Sequence, residues 1–130
     1  KRLIMKYLKH VLMAVVSLTV LNVWLLRFNK PTIYRGGQAK TMIEEFAAYG
    51  LSETFVYVIG GLKVLAALGL VVGFFYKKLI VPSSLVIAVL MVGAIFMHFK
   101  VQDAAIKFLP ATLMLLCSMG VLYLVNRRSV

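Results

Sequence analysis

Apolar residues fill four long runs of the chain, and polar residues are concentrated in the segments between them. A helix needs about 20 apolar residues to cross the hydrocarbon core of a bilayer. The first run ends at Trp24 and Arg27 without a small-residue cleavage site, which favours a retained span over a removed signal peptide. The pattern therefore predicts four transmembrane helices, at about residues 8–26, 55–75, 79–99 and 106–125.

The polar connection after the first run is much longer than the other two, which are short enough to predict antiparallel packing of their helices. Within it, Met42, Phe46 and Tyr49 recur at the spacing of one helix face, and Gly50 is typical of the position just after a helix end. We expect an amphipathic helix at about residues 38–49, lying on the mouth of the bundle. The predicted fold is one domain over residues 1–130: an all-α membrane protein, a four-transmembrane-helix bundle with a short amphipathic helix in the long first loop.

Composition supports a membrane setting. Hydrophobic residues make up 62% of the 130 residues, and the mean hydropathy is +0.96. A soluble domain of this size cannot bury so much apolar surface, so the expected partner is the lipid bilayer. The formal net charge of +11 raises nucleic acid as a partner. We expect no nucleic-acid binding, because the basic residues lie at the ends of apolar runs, where membrane proteins collect them.

The distribution of basic residues predicts the orientation of the bundle. Four spans place both termini on one side, and that side carries eight positive residues against six on the other. The eight are Lys1, Arg2, Lys6, Lys9, Lys77, Lys78, Arg127 and Arg128, and the six are Arg27, Lys30, Arg35, Lys40, Lys100 and Lys107. Because positive residues favour the cytoplasmic side, we expect both termini in the cytoplasm, in the bacterial inner (plasma) membrane.

Lys63 is the first candidate functional residue, since it lies inside the second predicted span, about 12 Å deep at 1.5 Å per residue. An ionisable residue at that depth is costly and is a functional candidate by default. Its long stem brings the ammonium to a carboxylate of the insertion helix or to a backbone carbonyl. Alternatively, Lys63 stays free to bind an anionic or carbonyl-bearing ligand.

Other polar residues are expected at the same mouth of the bundle. His98 ends the third span, where it either only caps or hydrates the helix or serves as a proton carrier and hydrogen-bond partner. The fork donors of Arg27 and Arg35 suit a carboxylate or phosphate, or equally a lipid headgroup. The full candidate ligand-binding set is Lys63, His98, Arg27, Arg35, Glu44, Glu45, Tyr57, Lys100 and Asp103.

Sequence motifs for metal binding or catalysis are absent. No second His or Cys has ligand spacing to His98, and the single Cys117 leaves no cysteine cage, so no metal site is expected. No phosphate-binding loop, zinc-protease motif or nucleophile elbow is present. The sequence therefore favours a ligand-binding or accessory protein over a stand-alone enzyme.

Three stretches resemble the DoxX-like family of small four-helix membrane proteins: "WLLRFNKPTIYRGGQAKTMIEEFAAYGL", "FVYVIGGLKVLAALGLVVGFF" and "GAIFMHFKVQDAAIKFLPA". The residues that carry most of the resemblance are Arg27, Pro31, Arg35, Gly36-Gly37, Phe46 and Tyr49-Gly50-Leu51. The resemblance implies a four-helix membrane fold and a redox setting, because the founding members accompany thiosulfate:quinone oxidoreductases. A distant eukaryotic branch acts as chaperones for membrane receptors.

Two functional hypotheses follow. In the first, the protein is a redox-associated membrane subunit or module that binds a small amphipathic ligand such as a quinone at the mouth of the bundle. Lys63 and His98 would hydrogen-bond its carbonyl oxygens, and the insertion helix would cover it. In the second, the protein is a non-catalytic accessory or chaperone-like subunit of a larger membrane complex, or a homodimer, and docks through Met42 and Phe46. Few intramembrane charges and no broken helix argue against a channel or transporter.

Overall fold

The computed structural model describes residues 2–126 of the chain. Lys1 and residues 127–130 lie outside the described part, and with them Arg127 and Arg128 of the predicted charge count. The described chain is helical throughout apart from its connections. Its α-helices are α1 (Arg2–Leu21), α2 (Met42–Ala48), α3 (Glu53–Gly73), α4 (Ile80–Lys100) and α5 (Leu109–Asn126).

All of these helices except α2 are long and apolar enough to cross a membrane, which confirms the predicted all-α fold with four spans. Three of them are extended by a helical turn: a π-turn at Asn22–Leu26 after α1, and 3₁₀ turns at Lys77–Leu79 and Ala105–Phe108 before α4 and α5. The first span begins earlier than its apolar run predicted. Lysine is a good helix former, so the basic segment before the run continues the helix even though it lowers the hydropathy.

The spanning helices form a ring in the order α1, α3, α4, α5, in which each packs against two neighbours. Small residues allow α3 and α4 to approach closely, because a Cβ at Gly69 would overlap the Ser83 hydroxyl and one at Gly73 would lie 2.9 Å from an Ile80 side-chain carbon. These glycines therefore serve packing inside the bundle. Both contacts lie at the end of the bundle opposite to the first loop.

Loop one, residues 27–52, connects α1 to α3 and contains α2, which packs against α3. Helix α2 starts later than the predicted residue 38. The Thr41 hydroxyl accepts a hydrogen bond from Glu44 N at 3.1 Å and caps the helix. Met42 N donates to Phe28 O at 2.8 Å, which ties the first residue of α2 to the start of the loop. Those two bonds fix the helix start, and neither was visible in the apolar periodicity.

Helix α2 ends where its glycine predicts. Gly50 has a φ of +84°, a left-handed conformation that glycine adopts without steric cost. Gly50 N donates to Ala47 O at 3.0 Å, and Leu51 N donates to Phe46 O at 2.9 Å. These two hydrogen bonds form a Schellman motif, which provides donors for the last carbonyls of a helix. It turns the chain sharply from α2 into α3 and so holds α2 over the bundle.

Candidate functional site

A cavity of about 670 Å³ lies between the loop-one ends of the spanning helices and the inner face of loop one. We call it the loop-one cavity. Its walls are mostly apolar and include Trp24, Phe46, Met91, Met97 and Met114. The charged residues that line it are Arg27, Arg35, Glu45 and Lys63. An apolar enclosure with a few polar groups is the usual form of a small-molecule site.

Lys63 forms part of the wall of this cavity and is only 8% exposed. Its ammonium nitrogen lies 5.2 Å from the centroid of the Trp24 ring, a distance at which a cation is attracted to the aromatic face. Within residues 2–126, Lys63 has no hydrogen bond and no ion pair. The predicted pairing of Lys63 with a carboxylate of the insertion helix is therefore not made, and its ammonium lies beside the ring of Trp24, another residue of the cavity wall.

Trp24 is a buried aromatic residue near the end of the first span. It is 8% exposed and packs among the bundle helices. Its ring meets Phe46 edge-on with centroids 5.9 Å apart. On the other side it lies against Gly60, where an added Cβ would approach the ring to 2.5 Å. The sequence signal was Val16, Val20 and Trp24 at four-residue spacing, which marks one buried face.

Arg35 and Glu45 form a buried pair on the loop side of the cavity. Arg35 Nη1 donates to Glu45 Oε1 at 3.1 Å, and the Arg35 side chain is 4% exposed. The rest of the guanidinium serves the loop backbone: Nε donates to Lys30 O at 3.0 Å, and Nη2 donates to the carbonyls of Arg27 and Phe28. The fork donors of Arg35 thus hold loop one in shape and are not free for a ligand.

Tyr49 extends this pair toward α4. Its hydroxyl donates to Glu45 Oε2 at 2.6 Å, and its carbonyl accepts a hydrogen bond from Lys100 Nζ at 3.0 Å. Burial, and after it the Glu45 carboxylate, raise the pKa of the Tyr49 phenol, so the hydroxyl stays protonated and remains a donor. The ring lies directly against Gly36, because an added Cβ there would overlap it.

His98 and Asp103 form a second pair, beside the cavity rather than in its wall. His98 Nδ1 lies 2.6 Å from Asp103 Oδ2, and both side chains are buried. Asp103 Oδ1 accepts a hydrogen bond from Gly37 N at 2.8 Å, while Lys107 Nζ donates to Gly37 O. These bonds join loop one to the connection between α4 and α5. Loop one is therefore held against the other helices by His98, Lys100 and Asp103. None of these three residues lines the cavity.

The remaining predicted site residues divide between the opening of the cavity and the outer surface. Arg27 is exposed and lines the cavity, while its side chain has no hydrogen bond or ion pair within the described chain. Glu44 is exposed and accepts a hydrogen bond from Lys40 N at 2.9 Å, next to the helix cap. Tyr57 is 59% exposed and stacks on Phe28 with centroids 6.3 Å apart. Neither Glu44 nor Tyr57 contributes to the cavity wall.

The inner face of α2 is fully occupied by the bundle. Met42 and Phe46 are 4% and 7% exposed, so a partner protein would meet the opposite face of this helix and not these two side chains.

The cavity combines a hydrogen-bond donor and positive charge at Lys63 with an aromatic face at Trp24 and flexible methionine walls. Such a set can bind an apolar molecule and position one polar head.

A sequence model of the DoxX-like family matches residues 33–120. The matched segment begins within loop one and covers α2, α3, α4 and most of α5. No curated protein and no solved structure gives a significant match to this chain. The family match covers well over half of the chain and includes most of loop one and Lys63, so the protein belongs to the DoxX-like family.

Proposed function

We propose that this integral membrane protein binds one small amphipathic molecule in the loop-one cavity. The observation that supports the proposal is the ammonium of Lys63, which lines an apolar cavity and has no hydrogen bond or ion pair within the described chain. A buried cation without a partner is costly. A ligand that places a polar head at Lys63 and an apolar tail along the methionine walls would reduce that cost.

The narrower form of this proposal is a redox-associated role with a quinone as the ligand. A quinone has a flat head, which suits the Trp24 face, and carbonyl oxygens that can accept a hydrogen bond from Lys63. His98 has no part in this arrangement, because its Nδ1 is bonded to Asp103 and it does not line the cavity. The family match supports a membrane protein of the DoxX-like type, and quinone binding is the part of the proposal that the following experiment tests.

Trp24 provides the test, because it is the single tryptophan of the chain and lines the cavity beside Lys63. We expect decyl-ubiquinone to quench the emission of the detergent-purified protein in a saturable manner, with one molecule bound per chain. Replacing Lys63→Met should weaken binding about tenfold to a hundredfold, as loss of a hydrogen bond from a charged donor does. The matched control is Lys40→Met, an exposed loop-one lysine outside the cavity, which should bind like wild type.

An unsaturable signal, or equal affinity in the Lys63 and Lys40 variants, would count against a site at Lys63.

We further propose that the protein lies in the bacterial inner membrane with both termini in the cytoplasm and loop one on the outer side. The excess of positive residues on the terminal side supports this orientation. Loop one and the opening of the cavity would then face the periplasm.

A further inference from the structure

We infer that the ligand of the loop-one cavity carries a carboxylate head, so that the site accepts a single-chain amphipathic anion of the fatty-acid type. The inference rests on the proposed binding of one amphipathic molecule, and its carboxylate head group is an alternative to the quinone of the narrower proposal. It comes from the balance of charge in the cavity wall, where, within residues 2–126, three basic residues face one acid; these are Arg27, Arg35 and Lys63 against Glu45.

That one acid is already fully engaged. Glu45 Oε1 accepts from Arg35 Nη1 at 3.1 Å, and Oε2 accepts from the Tyr49 hydroxyl at 2.6 Å. The charge of Glu45 acts on Lys63 from a distance, but the two make no ion pair. Arg35 and Glu45 therefore neutralise each other and both have their hydrogen-bonding partners. The positive charges of Lys63 and Arg27 remain without an anion in the described chain.

The unpaired charge of Lys63 is energetically costly because of where this side chain lies. An exposed lysine without a partner is ordinary, since water solvates it. Lys63 is 8% exposed and faces an apolar cavity, so water compensates it poorly. The Trp24 ring at 5.2 Å offsets part of the cost but supplies no hydrogen-bond acceptor. A carboxylate placed against the ammonium would supply both the charge and the acceptor, and short charge-assisted hydrogen bonds are the strong ones.

The shape of the cavity limits the rest of the ligand. A volume of about 670 Å³ lies in the range of pockets that enclose a drug-sized molecule, roughly 300–1,000 Å³. One acyl chain fits that range better than a two-chain lipid does. Met91, Met97 and Met114 line the apolar part with flexible side chains that adapt to a chain of variable conformation. At the opening, exposed Arg27 attracts an approaching anion.

The test compares dodecanoate with its uncharged methyl ester on the detergent-purified full chain, at a pH at which the acid is ionised. Trp24 emission reports binding, and a ligand-dependent rise in melting temperature provides an independent readout. We expect dodecanoate to bind at least about tenfold more tightly than the ester, which has the same chain but lacks the charge. In Lys63→Met the preference should fall to about twofold or less, whereas Lys63→Arg and the control Lys40→Met should keep it.

Each outcome bears on one proposal. If the ester or decyl-ubiquinone binds wild type as tightly as dodecanoate, the carboxylate head is wrong, while an amphipathic site remains. If Lys63→Met keeps the full preference for the acid, the head group is not bound at Lys63. If dodecanoate, the ester and decyl-ubiquinone all fail to bind, the binding function itself is wrong. The comparison of the three ligands on wild type needs no variant, so it decides even if Lys63→Met fails to fold.

Discussion

Arg35 donates hydrogen bonds from each of its three guanidinium nitrogens to a different part of loop one. Nε reaches Lys30 O, Nη1 reaches Glu45, and Nη2 reaches the carbonyls of Arg27 and Phe28. Residues 27–41, between the π-turn and α2, have no regular secondary structure, and Arg35 donates to three of their carbonyls. A lysine has all its donors on one nitrogen and cannot reach acceptors on several sides at once. This explains why position 35 needs an arginine.

We expect Arg35→Met to lower the free energy of unfolding by about 3–5 kcal/mol, because it leaves Glu45 without its buried ion-pair partner. Urea or thermal unfolding in detergent would measure the loss. Arg27→Met is the matched control. Its side chain is exposed and unpaired within the described chain, so the effect should stay within about 0.5 kcal/mol. Equal stability of the two variants would show that the Arg35 bonds do not hold loop one.

Tyr49→Phe removes the hydroxyl that donates to Glu45 Oε2 and should cost about 1–3 kcal/mol at neutral pH, because a partly buried carboxylate oxygen loses its donor. Burial raises the pKa of this phenol in the folded state. The contribution of Tyr49 is therefore complete below the ordinary tyrosine pKa of about 10 and falls above it, where only the unfolded chain ionises. Unfolding measured from pH 7 to 11 should show the difference between wild type and variant shrinking above about pH 10, and a constant difference would contradict this account.

At the level of single elements, the apolar spacing predicted which residues of α2 face the bundle but not where the helix begins. Met42, Phe46 and Tyr49 are all buried, as their periodicity predicted. The start depends on Met42 N binding Phe28 O, a contact between residues far apart in the chain. Periodicity reports the environment of a helix face, whereas helix starts depend on local and tertiary hydrogen bonds that it does not encode.

Helix α4 contributes residues that belong both to the cavity wall and to the outer surface of the bundle. Val89 and Gly93 line the cavity and are also exposed on the outer surface, and an added Cβ at Gly93 would meet no atom within 4 Å. We therefore expect a molecule dissolved in the membrane to enter the cavity at this point rather than through loop one.

Gly93→Phe should narrow this opening and slow the change in Trp24 emission after ligand is added to protein in lipid nanodiscs. Gly61→Phe is the control, because Gly61 on α3 is likewise exposed with open space around its Cβ, but it does not line the cavity. Stopped-flow fluorescence would compare the two rates. If both variants bind as fast as wild type, the ligand enters elsewhere.

At the scale of the whole molecule, the sequence predicted that the charged residues gather at one end of the bundle, but not how they divide. Lys63 and Arg27 line the cavity, whereas His98, Lys100 and Asp103 fasten loop one to the other helices. Hydropathy gives the depth of each residue along a span. Which charge meets which partner depends on side-chain direction and on the path of loop one, and neither follows from spacing alone.

The proposed orientation can be tested with single cysteines. In a Cys117→Ser background, Lys40→Cys places a thiol on exposed loop one, and Lys78→Cys places one on the exposed turn at the opposite end. A membrane-impermeant maleimide added to intact spheroplasts should label position 40 and spare position 78. The reverse pattern would mean that both termini lie outside. Permeabilised cells, in which both positions should react, provide the control for reactivity.

The cavity occupies only the loop-one half of the bundle, while the other half is closed by Met13, Leu70 and Ile80, each at most 2% exposed. The molecule thus has a hollow half at its loop-one end, whereas these three side chains fill space between the helices toward the other end. Ligand occupancy of the cavity should therefore depend on the composition of the leaflet on the loop-one side and not on the composition of the other leaflet. In vesicles with mixed insertion, an amphiphile that cannot flip would fill only those copies whose hollow half faces the side of addition.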